Sequence, residues 1–306
     1  MLALLVLVAI IAACLAAPWY AHNISQSDPF SSNLDGSITV AGQSVDIMQS
    51  ADTGFGVTPV APTWTGQYFL GADDQGRDVA ARLLYGGRSS LLIAGSATII
   101  CLTLAGLIGI VSGFAGGFID SILARLLDIL WAFPVYLLAI SLSAVLISHG
   151  LKLGPVTVSS DSLLIPITII GIVYVPYVAR PIRGQVLSLA RTDFVLAAKC
   201  LGVPRSRILW KDILPNVITT LIVFAPLIMA LNMLTEAALS FLSIGVQPPA
   251  ASWGTIILDG EGLLYTRPAV AIAPGLAIMV TVVALNFLGD GVREAFDPRA
   301  RLRVQK

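Results

Sequence analysis

Side chains able to run a reaction are scarce in this chain. His22 and His149 are its two histidines, and neither stands at a metal-ligand or triad spacing from another candidate, so no metal site is expected. Cys14 and Cys101 fall in apolar runs and Cys200 in a polar loop, so no pair is placed for a structural disulfide. No Gly-x-x-x-x-Gly-Lys-Ser/Thr occurs, and the chain therefore has no P-loop of its own for ATP. An enzyme reading has no residues to stand on. Two features remain. Glu236 is an acid well inside an apolar run, where burial is costly unless the group is paired or wet. It could contact the amino group of a substrate, hold an outer gate, or make a structural hydrogen bond. The other feature is a basic island over 191–216, RTDFVLAAKCLGVPRSRILWKDILPN, with Arg191, Lys199, Arg205, Arg207 and Lys211 in a chain that is 12% charged.

The elements around these residues are set by composition. The chain has 306 residues, 56% of them hydrophobic, against about 45–50% in soluble domains, and its mean hydropathy is +0.87. It reads as a polytopic membrane protein. The island at 191–216 is too charged to lie in a bilayer, and its excess of Lys and Arg puts it on the cytoplasmic side. Asp193 is predicted to N-cap a helix over 194–201 that Gly202 and Pro204 stop, and a second helix over 205–214 is predicted to be closed by Pro215. Two short helices around a Gly-Val-Pro turn make a shape for another protein to grip.

In chain order, the apolar run 2–17 is read as a retained first membrane helix over 1–20. Its alternative is a signal peptide, since 11–14 resembles a lipoprotein cleavage site, but a basic n-region is missing. From 22 to 76 there is no Lys or Arg, while Asp28, Asp35, Asp46, Asp52, Asp73 and Asp74 are present, which marks the extracytoplasmic side. Residues 37–47 are predicted to form a small hairpin about Ala41 and Gly42. The segment is either a small cap or a loose tether. Arg77, Arg82 and Arg88 strain the charge rule, and are expected on an interfacial helix that ends the extracytoplasmic segment 21–88, beside Asp73, Asp74 and Asp78.

The core 89–290 then holds five more expected spans. The first of these, 89–112, carries Ala105, Gly109, Gly113 and Gly117 every fourth residue, a face for close helix packing. The span 121–148 contains Pro134, expected to bend it, with Arg125 and Asp128 set to pair locally. The span 162–179 holds Pro166 and Pro176, and 217–241 holds Pro226 and Glu236. After an outer loop with Gln247, Pro248 and Pro249, the span 268–288 leads to a basic tail, 291–306, with Arg293, Arg299, Arg301, Arg303 and Lys306. Six spans with both termini cytoplasmic satisfy the charge pattern. Pro134, Pro226 and Glu236 are the candidate pathway or gate residues.

The island resembles the EAA loop of ABC importer permeases, in which Glu-Ala-Ala is followed by three residues, Gly, nine residues, Ile, one residue and Leu-Pro. Ala197, Ala198, Gly202, Leu214 and Pro215 fall on that pattern, whereas Leu196 stands where Glu is usual and Asp212 where Ile is usual. FLGADDQGRD (69–78), RLLYGGRSSL (82–91), RLLDILWAFP (125–134), LSFLSIGVQPPAASWG (239–254) and LNFLGDGVREAFDPR (285–299) resemble the dipeptide/oligopeptide branch of the family. The resemblance covers 69–303.

It implies an all-α membrane protein of the type I ABC importer permease fold, with six transmembrane helices and here an extracytoplasmic insertion between helices 1 and 2. It implies a bacterial inner-membrane subunit that forms a peptide path with a second homologous permease. An extracytoplasmic solute-binding protein would deliver the peptide. Two cytoplasmic P-loop ATPase subunits would bind ATP and Mg, so the chain itself needs no cofactor, and no nucleic-acid partner is expected. In the coupling loop, 181–216, Leu196, Cys200 and Leu201 would give apolar contact to the ATPase, Ala197 and Ala198 close approach, and Gly202 the turn. Arg205, Arg207, Leu214 and Pro215 would support it, the arginines also being placed to meet lipid headgroups. Members that look alike carry nickel, glutathione or oligosaccharides, and no pocket residue decides among these. A stand-alone secondary transporter is the alternative of another class. It would call for inverted repeats with mid-membrane acids or interrupted helices, and no such symmetry is visible.

Overall fold

The computed structural model describes residues 1–40, 42–50, 56–153 and 156–296. Ala41, Asp52 and the tail residues Arg299, Arg301, Arg303 and Lys306 lie outside them. Apolar runs become helices here because a backbone in hydrocarbon must satisfy its own hydrogen bonds. The chain opens with α1 (Leu2–Leu15) and α2 (Ala17–Tyr20), the latter continued by a π-turn, Ala21–Ser25. Four short strands follow: β1 (Ser37–Val40), β2 (Gln43–Asp46), β3 (Met48–Ser50) and β4 (Val57–Pro59). Then come α3 (Val79–Ala115), α4 (Gly117–Trp131) and α5 (Val135–His149), strands β5 (Leu151–Leu153) and β6 (Val156–Val158), and α6 (Leu164–Val173) and α7 (Val175–Leu189). The last helices are α8 (Asp193–Cys200), α9 (Arg205–Ile208), α10 (Leu214–Phe241), α11 (Trp253–Asp259) and α12 (Ala269–Phe296).

Among the described residues, three helical stretches are long and apolar enough to cross a membrane: Val79–Ala115, Arg205–Phe241 and Ala269–Phe296. Three further stretches qualify only as bent pairs: Leu2–Leu15 with Ala17–Ser25 at 49°, Gly117–Trp131 with Val135–Ser148 at 87°, and Leu164–Val173 with Val175–Leu189 at 41°. The 87° break is far sharper than a proline bend inside one helix. Pro134 has no N–H to give and disfavours helix at Phe133, so α4 stops at Trp131 and α5 starts afresh at Val135. Pro215 does the opposite of what its type predicts. Rather than closing a helix, it sits in the first turn of α10, and the π-turn Leu209–Ile213 widens the spiral where its ring would meet the carbonyl four residues back.

The chain divides into two compact units. The first comprises Met1–Ile93, Ser143–Pro166 and Met233–Ala284. In it the predicted hairpin forms, with Ser37 opposite Asp46 and Val40 opposite Gln43, and β3 pairs with β4. Ile38, Ile47, Val60, Tyr68 and Ala72 bury a small core of their own beneath these strands. The described part of the segment is therefore folded and not a loose tether. Tyr68 is held at both ends of its hydroxyl, accepting from Asn33 Nδ2 at 3.2 Å and donating to the Gly76 carbonyl at 3.0 Å.

Of the three arginines that strained the charge rule, Arg77 and Arg82 are buried ion-pair members, while Arg88 is exposed with its guanidinium 5.6 Å from the centre of the Tyr85 ring. Arg77 Nε lies 2.7 Å from Asp73 Oδ2, while Arg77 and Arg82 both reach Asp259 Oδ2, at 3.0 and 2.7 Å. Arg82 Nε also lies 3.3 Å from Asp73 Oδ2. Arg82 and Arg88 belong to the first turns of α3, which runs on without a break. Asp78 caps that helix, accepting from Ala80 N at 2.8 Å and Ala81 N at 3.2 Å, and its other oxygen accepts from Tyr68 N. Burial holds the Asp78 carboxyl above the usual carboxylate range, against the pull of those hydrogen bonds.

The second unit comprises Ala94–Leu142, Ile167–Asn232 and Leu285–Lys306. The small-residue face of α3 packs on α7: a Cβ at Gly109 would come 2.7 Å from Ile182, and one at Gly113 2.8 Å from the Arg183 carbonyl. Gly117 is not part of this stripe, since it lies past the end of α3 and has open space around it. Asp128 pairs with Arg180 on α7, at 2.6 Å, and not with Arg125 in the next turn of its own helix. Three residues apart, Arg125 and Asp128 share a face of α4, yet the carboxylate is taken by the guanidinium across on α7.

Candidate functional site

The polar island begins where α7 ends. Thr192 is the N-cap residue, with extended backbone, and α8 starts at Asp193, whose carboxylate then lies in the first turn where the helix dipole favours it. The predicted cap was one residue late. Asp193 is nevertheless the acid of the helix start. The helix ends in a Schellman motif: Gly202 N donates to the Lys199 carbonyl and Val203 N to that of Ala198, both at 3.0 Å, with Gly202 at φ +76. A Cβ at Gly202 would meet nothing, so only the left-handed backbone selects glycine here. Pro204, also extended, caps α9.

Val195, Ile208 and Ile213 are the buried anchors of this loop. Lys199 Nζ donates to the Ala190 carbonyl and Gln185 Nε2 to that of Asn216, each at 3.2 Å, tying the loop to its two stems. Behind it, Arg183 grips Asp120 with two bonds of 2.6 and 2.7 Å, and Ser112 donates to the same carboxylate. One acid therefore joins α3, α4 and α7, the helices that support the loop.

The outward side of α8 is apolar. Phe194 is 52% exposed and Leu201 83%, with Ala197 exposed between them. Positions i, i+3 and i+7 fall on one helical face, so Phe194, Ala197 and Leu201 form a stripe, with Ala198 half-buried at its edge. Leu196 and Cys200 are exposed on another face, one turn apart. Phe194 escaped sequence reasoning because the matched pattern begins two residues later. Arg205 and Arg207 are exposed, Leu214 is half-buried and Pro215 exposed.

The gate candidates divide between the two units. Glu236 is fully buried in the first unit and accepts from Ser90 at 2.8 Å and Ser240 at 2.7 Å. Ser90 in turn accepts from Trp253 N at 3.1 Å, and Ser240 from Val246 N at 3.1 Å. The acid thus ties α3, α10 and the loop before α11, which Ser252 and Thr255 start with a reciprocal capping box. Pro226 lies in the second unit, inside α10, where its ring stands against Gly289 of α12. Pro134 marks the α4–α5 break.

A further cluster was not foreseen. The Arg180 guanidinium lies 4.9 Å from the centre of the Trp131 ring, Trp131 stacks on Tyr177 at 6.2 Å, and Tyr177 meets Phe224 edge-on at 6.4 Å. Phe224 also lines a cavity of about 520 Å³, whose walls include Thr219, Thr220, Asn286, Asp290 and Arg293. The run of aromatics WAFPVY around Pro134 was the available sequence signal.

Comparison with known proteins bears on this geometry. Residues 105–302 match the family described as "Binding-protein-dependent transport system inner membrane component". The chain is 37% identical over 250 residues to the oligopeptide transport system permease protein OppC of Haemophilus influenzae, covering 82% of this chain and 76% of that protein. It is 37% identical over 235 residues to the dipeptide transport system permease protein DppC of Alkalihalophilus pseudofirmus, covering 77% and 73%. OppC of Bacillus subtilis is 39% identical over 234 residues, covering 76% and 72%. Among solved structures, an inward-facing form of the MetNI methionine ABC transporter aligns with a TM-score of 0.56, at 17% identity, over 70% of this chain and 96% of that one. At that identity the likeness is one of fold.

Proposed function

The chain belongs to the family of inner membrane components of binding-protein-dependent transport systems, and from that membership we propose that it is a permease subunit of an ATP-driven peptide importer. Six spans are counted by taking each bent pair as one crossing, with both termini and the coupling loop in the cytoplasm and the cap at 26–78 outside. A second homologous permease completes the path, and a solute-binding protein delivers peptide to the outer face. Two ATPase subunits hold ATP and Mg, so the chain needs no cofactor. Peptide is the substrate class because the relatives named for a substrate are oligopeptide and dipeptide permeases.

The observation that carries the reading is the exposed apolar stripe of α8 on a loop whose stems are tied down. A helix with anchors at i, i+3 and i+7 is the form in which a short helix enters a partner's groove. On this reading Phe194, Leu201 and the second face of Leu196 and Cys200 meet the ATPase, Ala197 and Ala198 permit close approach, and Gly202 ends the helix. Arg205, Arg207, Leu214 and Pro215 hold the stem. Closure of the ATPase pair then moves α8 as a rigid lever, and the Asp120–Arg183 joint passes that motion to the helices behind it. Pro134, Pro226 and Glu236 are assigned to the bends and outer clamp of the pathway.

The test is a pair of substitutions that spare the core. Gly202→Leu forces a left-handed residue at a cost of about 1–2 kcal/mol, and Ala197→Asp puts a charge in the stripe. Both variants should insert in the membrane at wild-type levels yet lose substrate-stimulated ATP hydrolysis in the reconstituted complex. Survival of transport in both would remove the lever.

A further inference from the structure

In the first unit, residues 63–69, TWTGQYF, form a loop tightened on itself. Thr63 N and Trp64 N donate across it to the Tyr68 and Phe69 carbonyls, both at 3.3 Å, and the Thr63 hydroxyl donates to the Gln67 carbonyl at 2.8 Å. Its base and its tip differ. Tyr68 belongs to the small core and is 1% exposed, whereas Trp64 is 63% exposed, with the Phe69 ring edge-on to it at 5.7 Å. Trp64 and Tyr68 both have left-handed backbone, at φ +56 and +53, and so does Gln26, at φ +51, whose side chain accepts from Gln67 Nε2 at 3.0 Å. Such backbone is costly for bulky residues, persists only where the surroundings impose it, and gathers at functional sites. Here it holds the largest side chain of the loop in the open. A rigid, exposed aromatic on a folded base is the form of a protein-docking anchor, since it has little freedom left to lose on binding.

The charge around this anchor has one sign. No Lys or Arg lies between 22 and 76. Asp28 and Asp35 are exposed, and neither is ion-paired among the described residues. Each stands two positions from a residue bonded to the loop: Gln26, which accepts from Gln67, and Asn33, whose Nδ2 donates to the Tyr68 hydroxyl. An aromatic set among acids does not suit a membrane surface, where anionic headgroups repel carboxylates and Trp anchors work beside Lys and Arg. It suits a protein that offers an apolar pocket with a basic rim. Resting on the importer reading above, which puts this segment on the extracytoplasmic side, we propose that the 63–69 loop is a docking point for the solute-binding protein. Trp64 and Phe69 enter such a pocket on that protein, and Asp28 and Asp35 steer its approach.

The experiment uses the whole importer in vesicles with the solute-binding protein that supports its peptide uptake, and reads the concentration of that protein at half-maximal uptake. Trp64→Ala should raise this concentration about thirtyfold, the loss expected at a central aromatic anchor, and saturating binding protein should restore the rate. An assembled variant with an unchanged concentration overturns the proposal. So does a slower rate that saturating binding protein does not lift, the result expected of a lipid contact or of a contact with the second permease. If Trp64→Ala does not assemble, Asp28→Lys combined with Asp35→Lys decides, since both positions are exposed and outside the small core. That variant should raise the half-maximal concentration about tenfold at low salt, and the difference from wild type should shrink as salt screens the charges. No difference at low salt overturns the proposal. Absence of uptake by the wild-type complex with any solute-binding protein removes the importer reading itself, whereas variants that saturate like the wild type remove the docking point alone.

Discussion

Asp259 accepts from two arginines that are themselves almost fully buried. Removing it leaves Arg77 and Arg82 to share Asp73, so Asp259→Ala should cost about 3 kcal/mol or more, the penalty of an uncompensated buried charge. Thermal unfolding in detergent checks this, and Asp259→Ala combined with Arg82→Met should lose less than the sum of the two single losses. Glu236 is a different case, since its partners are hydroxyls. Glu236→Ala should cost about 1–3 kcal/mol for each serine donor left without its acceptor, while Glu236→Gln, which keeps one oxygen, should be milder in the same assay. These partnerships were the least legible part of the sequence. Asp259 is 177 positions from Arg82, and nothing local to either marks the other. Spacing rules reach one turn of helix, which is why Asp128 was matched to Arg125 when its partner Arg180 stands 52 positions on.

Elements were more legible than pairs, because periodicity is written locally. The fourfold recurrence from Ala105 gave the packing face of α3, and at Gly109 and Gly113 that face meets α7 closely enough to exclude a Cβ. Gly113→Leu would push against the Arg183 backbone and the Val186 side chain, and with them the Asp120 joint. The expected outcome is a destabilised complex in which ATP hydrolysis continues but no longer responds to substrate, read by comparing basal and stimulated rates. What periodicity does not disclose is whether an interruption bends a helix or ends it. Pro134 ended one, since Phe133 before it also leaves the helical region, whereas Pro215 was absorbed by a widened turn. If that turn exists to clear the proline ring, Pro215→Ala should relax it to an ordinary α-turn and rotate the loop relative to α10. Coupling should then fall without loss of thermal stability.

At the level of the whole molecule, the charge distribution predicts an orientation that a single native residue can report. Cys14 and Cys101 are buried, and Cys200 is exposed at the end of α8, so the wild-type chain already carries one accessible thiol on the loop assigned to the cytoplasm. A membrane-impermeant maleimide should therefore label inverted vesicles and spare intact spheroplasts. Labelling confined to spheroplasts would place the loop outside and reverse the topology. The same thiol lies one turn from Leu196 on the face assigned to the ATPase, so vesicles washed free of peripheral subunits should label faster than vesicles that retain them. A rate indifferent to those subunits would detach α8 from the ATPase even with the topology correct, because a helix seated in a groove cannot keep its flank open to a reagent in water.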